Sequence, residues 1–327
     1  MELHFIDGTG VHDRDLADLE ILLKSATGVV WLDVPALDEL AGELLRSTFG
    51  FHPLAIQDCA VRNHVPKVHV YADHALLVLH TTEPEPNGHV HYVELDQLIG
   101  EHFLVTVHGP LNPVVPVEAA LRETRAVQRR LDEGRLRPAT GWELSYALVS
   151  ALVRTHESQV GRLAQEVGLL EQRVMSGLAA APEPFLEELF RARHQLLVTR
   201  TMAAQSREVF ARMLRLVAFA GTDEVRRLDD LLDQYDRVRG LADGQLEFLQ
   251  AVIDSYRART DTKMLVAAER LAVIAAVTLP ITAISSVLGM NVIVSTRTHP
   301  VALSVLVVFM VAMSAWLLRW TRNQGWW

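Results

Sequence analysis

Cysteine is nearly absent: Cys59 stands alone in 327 residues, which excludes an intramolecular disulfide framework and a cysteine-built zinc cluster. Acid is missing from residues 271–327, because every one of the 40 Asp and Glu side chains lies at or before Glu269. Only three strong bases, Arg297, Arg319 and Arg322, occur in that stretch. An excess of positive charge is lacking too. The net charge of -9 argues against a protein held to nucleic acid by phosphate contacts. No Walker A loop, His-Glu-x-x-His, Gly-x-Ser-x-Gly or Gly-x-Gly-x-x-Gly is present, so a membrane-anchored hydrolase, the enzyme alternative, has no motif to stand on. The opening MELHFIDGTG has neither a basic n-region nor an apolar h-region, so no signal peptide is expected.

What is abundant is apolar surface. Half of the residues are hydrophobic and the mean hydropathy is +0.16, above that of an ordinary soluble domain. Leu271–Met290 (LAVIAAVTLPITAISSVLGM) carries no charge, and Val301–Leu318 (VALSVLVVFMVAMSAWLL) has only Ser304 and Ser314 as polar members. At about 1.5 Å per residue each crosses roughly 30 Å, the hydrocarbon thickness of a bilayer. The short link from Asn291 to Pro300 makes them a hairpin with both ends on one side. Trp320, Trp326 and Trp327 with Arg319 and Arg322 follow as an interface anchor. The expected placement is a multi-pass protein of the cell membrane with both termini cytosolic and the short loop outside. The arginines after the second span favour it, while Arg297 in the loop weakens that vote.

The first span is the more polar one. Thr278, Thr282, Ser285 and Ser286 accompany Pro280 in its second half. Leu271, Ala275, Leu279, Thr282 and Ser286 are spaced 4, 4, 3 and 4 apart and share one helical face. Such a face either lines a watery path or packs closely on another helix; spacing alone leaves both open.

The acidic body divides further. Residues 1–115 read as a mixed α/β cytosolic domain, with strands at Val29–Val34, Ala75–His80 and Phe103–Val107 and helical spacing over Leu37–Ser47. Pro110, Pro113 and Pro116 mark a boundary. Residues 116–221 form a helical region, in earnest from Gly141, and Gly221-Thr222-Asp223 breaks it with an N-cap candidate. Residues 222–270 form a stalk helix continuing into the membrane. Then follow a transmembrane helix (271–290), an external loop (291–300), a second transmembrane helix (301–318) and a basic, aromatic tail (319–327). Along the stalk, Val225, Leu228, Leu232, Tyr235, Val238, Leu241, Gln245, Leu249, Val252 and Tyr256 recur at close to the coiled-coil period. So narrow a stripe implies helix partners, expected to be other copies of the chain.

Gly289-Met290-Asn291 at the end of the penultimate span, with Leu279-Pro280-Ile281-Thr282 ten residues upstream, resembles the signature of the CorA family of divalent cation channels. Trp31-Leu32-Asp33, Phe51 to Asp58 (FHPLAIQD), Pro66-Lys67, Phe103 to His108 (FLVTVH) and the junction Arg257 to Leu271 (RARTDTKMLVAAERL) resemble the family in its order. The likeness therefore covers nearly the whole chain. It implies an α+β membrane protein: an N-terminal α/β cytosolic domain, a long stalk and two C-terminal transmembrane helices, assembled as a homopentameric funnel. The first transmembrane helix would line the path, with Leu271 and Leu279 as hydrophobic constrictions, Thr282 offering hydroxyls, and Ala275 and Ser286 on the same face. Five copies of Asn291 would present amide oxygens at the outer mouth. Neutral oxygens suit Mg²⁺, which dehydrates reluctantly and can be gripped through its water shell. Asp230 falls where the family has an acid that binds regulatory Mg²⁺ between subunits, with Glu83 or Glu85 as its partner. A solvated carboxylate in the charged stretch Asp229, Asp230, Asp233, Asp236 remains the other reading.

Three departures bear on the transported ion. The loop after the motif lacks Pro-Glu-Leu and carries Arg297, Leu265 replaces a frequent Asn, and Glu269 sits where a base is common. Eleven of the 14 histidines precede residue 110, and His89-Val90-His91 on a strand would put two imidazoles on one face, a possible Zn²⁺, Co²⁺ or Ni²⁺ site. A zinc (or cobalt) transporter of the same family and a non-conducting membrane sensor or scaffold are the alternatives to Mg²⁺ transport.

Overall fold

The computed structural model describes residues 1–25, 27–85, 88–177, 182–216, 222–289 and 300–323. In chain order the strands are β1 (Glu2–Asp7), β2 (Gly10–Arg14), β3 (Val29–Val34), β4 (Lys67–Val70), β5 (Ala75–Pro84), β6 (Val90–Ile99) and β7 (Phe103–His108). The helices are α1 (Leu19–Leu23), α2 (Glu39–Ser47), α3 (Pro53–Ala60), α4 (Val117–Ala120), α5 (Arg122–Asp132), α6 (Gly141–Ser176), α7 (Pro182–Leu216), α8 (Thr222–Gly289) and α9 (Pro300–Asn323). By internal contacts the chain forms two compact units, Met1–Val252 and Ile253–Trp327.

In the first unit one seven-stranded sheet runs in the order β2-β1-β3-β7-β6-β5-β4. β5 and β6 pair antiparallel over ten residues, from Ala75↔Ile99 to Pro84↔Val90, and β3 lies parallel to β7. The strands read as continuous apolar runs because both sheet faces are covered. Alternate residues go opposite ways: Val29, Trp31, Leu77 and Leu104 join the core shared with α5, α6, α7 and α8, while Val30, Leu32, Val78 and Val105 join the core under α1, α2 and α3. The helices start where the sequence provides caps. Asp38 accepts from the Ala41 amide and Thr140 from the Glu143 amide, and Pro53 occupies the first turn of α3. At the far end of α6, Gly177 takes the left-handed conformation (φ 73°) that favours glycine.

The stripe on α8 differs from the one expected. Leu228, Leu231, Tyr235, Val238, Ala242, Leu249, Val252 and Ile253 are buried, whereas Val225 and Leu241 are about half exposed. An α-helix repeats every 3.6 residues, so a straight stripe drifts off a 3.5-residue seam and selects Leu231 and Ala242 instead. Within the chain it packs on α6 and α7. Tyr235 stacks on Phe210 of α7 at 5.7 Å, and Arg207 of α7 donates to Asp236 at 2.6 Å. Arg227 reaches Glu143 of α6 at 2.5 Å, and Arg237 lies 3.3 Å from Glu157 of the same helix.

Candidate functional site

The second unit consists of the end of α8 and α9, each with an apolar window long enough to cross a membrane and only 6% of that window buried. A core helix of a globular fold would hide such apolar surface. α8 continues through Pro280 to end at Gly289. Proline has no amide hydrogen to give the carbonyl of Ala276 one turn back. α9 opens on Pro300, a residue suited to the first helical position, and continues past Leu318 to Asn323.

The five residues expected to share a face of α8 do not all have the same cover. Leu271 (67% exposed) and Leu279 (66%) stand open, as do Thr282 and Ser286, while Ala275 is half buried. The opposite side carries buried Val273, which with Ile274, Val277 and Leu318 of α9 lines an apolar hollow of about 350 Å³. The face carrying Leu271, Leu279 and Thr282 is therefore not the one turned to α9. Thr282 donates its hydroxyl to the Thr278 carbonyl at 2.8 Å, and Thr278 donates to Ile274 at 2.8 Å. With the proton spent inside the helix, the Thr282 oxygen keeps lone pairs as an acceptor. Met290, Asn291 and the loop bearing Arg297 lie outside the described residues.

In the first unit Asp230 is exposed but engaged. The Tyr146 hydroxyl donates to its Oδ2 at 2.6 Å, and the Gln234 amide donates to the same oxygen at 2.6 Å. Burial, followed by the Asp230 carboxylate, raises the Tyr146 phenol above its usual range. Glu85 has its Oε1 3.0 Å from His91 Nε2, and Glu83 accepts from Arg122 at 2.9 Å. Each candidate regulatory acid thus has a partner within its own chain. The i,i+4 spacing of Asp230 and Gln234 was readable from sequence, but nothing signalled Tyr146, 84 residues away. His89 and His91 do come together, ring centroids 4.6 Å apart and nearly perpendicular. Among the described residues, however, no group of three or more His, Cys, Asp or Glu could hold a metal ion, so the histidine-site expectation is not met there.

The family model of the CorA-like Mg2+ transporter protein matches residues 26–322; the chain belongs to this family. It is a family of divalent cation transporters, not of enzymes. YfjQ of Bacillus subtilis (strain 168), named as a candidate metal ion transporter, is 24% identical over 298 residues, covering 90% of this chain and 89% of that one. The cobalt/magnesium transport protein CorA of Thermotoga maritima is 22% identical over 282 residues, covering 84% and 77%. Among solved structures, the CorA magnesium transporter of Methanocaldococcus jannaschii superposes with a TM-score of 0.81 at 16% identity, covering 100% of this chain and 99% of the other. The ZntB cytoplasmic domain of Vibrio parahaemolyticus gives 0.61 at 10% identity, covering 80% and 98%. The fold class expected from the sequence is thereby established: a soluble α/β domain, a long helix and two C-terminal apolar helices.

Proposed function

We propose that the chain is a Mg²⁺ channel of the cell membrane, with both termini in the cytosol, and that five copies surround its pore. The observation that carries this reading is the continuity of α8. One helix joins the cytosolic core at Leu228–Tyr235 to the open face at Leu271, Leu279 and Thr282, and its described residues reach Gly289, the first residue of the Gly289-Met290-Asn291 motif. In the assembly, Asn291 oxygens meet the hydrated ion at the outer mouth. Leu279 and Leu271 narrow the path so that it closes by losing water, and Thr282 supplies neutral acceptors between Leu279 and the outer mouth. Ala275 and Ser286, the small residues of that face, leave width for a watered ion. Asp230, with Glu85, would hold regulatory Mg²⁺ between neighbouring copies. The fit is partial, since the Tyr146 and Gln234 donors occupy one oxygen of Asp230 and leave the other for an ion.

A transition-metal reading stands second, favoured by cobalt in the name of the Thermotoga relative and by Arg297, whose charge at the mouth opposes cations in general. Flux into proteoliposomes holding the purified protein decides between them. Mg²⁺ entry is expected, with weak competition by Zn²⁺ and Co²⁺, and Asn291→Ala is expected to abolish it with the particle's mass unchanged. Uptake that survives in Asn291→Ala removes the ring. Entry of Zn²⁺ or Co²⁺ that Mg²⁺ fails to block favours the second reading, and absence of any flux leaves a membrane sensor.

A further inference from the structure

α5 and α6 face each other across an open cleft of about 420 Å³, with Glu83 among its lining residues. On α6, Arg154, Ser158 and Arg162 are spaced four apart and share one face, and on α5, Arg122 and Ala126 do the same. The small residues Ala126 and Ser158 stand between the longer arginines and leave room for the hollow. Its floor is rigid: the Gln159 amide donates to the Thr82 carbonyl and accepts from the Thr82 hydroxyl. Buried Glu123, only 3% exposed, accepts from Thr155 at 2.7 Å.

The charges in this cleft do not balance. Arg122 is paired with Glu83 at 2.9 Å, but Arg154 and Arg162 form no ion pair or side-chain hydrogen bond among the described residues. Burial first, and the like charge of Arg130 second, lower the Arg154 guanidinium from its usual range. Burial also raises the Glu123 carboxyl on the floor. In a chain of net charge -9, a concave polar surface lined by three arginines and two acids, Glu83 being engaged by Arg122, keeps an excess of positive charge poised for an anion from outside. Guanidinium forks match the paired oxygens of phosphate, and the Thr155 and Ser158 hydroxyls add neutral donors.

We propose that the α5–α6 cleft binds a small phosphate-bearing anion, gripped by Arg154 and Arg162 and bordered by Arg122, Thr155 and Ser158. The volume exceeds the needs of one orthophosphate and suits a diphosphate or a nucleotide. Glu157, adjacent to Ser158 on α6, pairs with Arg237 of α8, so an occupant bears on the helix tied to the stalk.

Titration calorimetry on the full-length protein in detergent, with EDTA present to keep the probes free of divalent ions, tests this without reference to ion flux. The probes are inorganic phosphate, pyrophosphate and ATP. Saturable binding of pyrophosphate, one per chain, is expected, weakened about tenfold or more in Arg154→Gln/Arg162→Gln. Ser158→Asp, which adds a carboxylate at an exposed position, should abolish it with the melting temperature unchanged. ATP binding tighter than pyrophosphate assigns a nucleotide. Equal binding of orthophosphate and pyrophosphate assigns a single phosphate group. No saturable binding of any of the three, or equal binding by both variants and the parent, overturns the proposal.

Discussion

His80 and His156 meet where the sheet packs on α6, His156 Nε2 lying 3.1 Å from the His80 carbonyl oxygen, and both are fully buried. Burial lowers each imidazole from 6.5 to about 4. The unfolded chain therefore takes up these protons first. Stability that is complete above pH 6.5 is lost as the pH falls toward 4, by about 2 kcal/mol per histidine at pH 5. Glu94 and Asp96, whose carboxyls burial raises, act in the opposite sense, losing stability as the pH rises through their elevated range. The difference between parent and variant isolates the histidine. His156→Gln should melt with a shallower decline between pH 7 and 5 than the parent, and parallel declines would dismiss the effect. None of this could be read from sequence, where His80 and His156 are two histidines 76 positions apart; only pairing β5 against α6 takes them out of water.

α6 begins in contact with the β6–β7 turn: the Gly141 amide donates to the Glu101 carbonyl at 2.8 Å. A Cβ at Gly141 would stand 2.2 Å from the Phe103 carbonyl oxygen and 2.3 Å from that of Gly100, both backbone atoms that cannot rotate aside. Gly161, midway along the same helix, has nothing within 4 Å of such a carbon. Gly141→Ala should therefore destabilise by about 1–3 kcal/mol, while Gly161→Ala should stabilise by about 1 kcal/mol through helix propensity. Melting temperatures moving in opposite directions would support this account; two shifts of the same sign would not. Sequence placed the start of the helical pattern at Gly141, yet the two glycines look alike until the turn is folded against one of them. The stalk shows the same limit. That it is one long helix with an apolar stripe was legible, but the choice of Leu231 and Ala242 over Val225 and Leu241 depended on where α6 and α7 lie.

For the molecule as a whole, Leu271 and Leu279 remain two-thirds exposed in a single chain. Lipid or further copies must cover them, and the proposed assembly divides the task, with α9 outward and the Leu279 face inward. The protein extracted in mild detergent should have about five times the mass of the 36.5 kDa chain, and a lone subunit would end the channel reading. Asp230→Ala should leave the particle intact and let uptake continue at internal Mg²⁺ levels that close the parent. Normal closure would assign Asp230 to its contacts with Tyr146 and Gln234 alone.

Two hydrophobic spans, the acidic body before them and the strands at Val29–Val34 and Phe103–Val107 were legible in the chain, because hydropathy, charge and local spacing are properties of neighbouring residues. The sheet order, the capture of the stalk by α6 and α7, the engagement of Asp230 by Tyr146 and the arginine cleft were decided by folding alone. Each joins positions tens of residues apart, and which of many apolar or charged groups meet depends on how the layers close around the sheet.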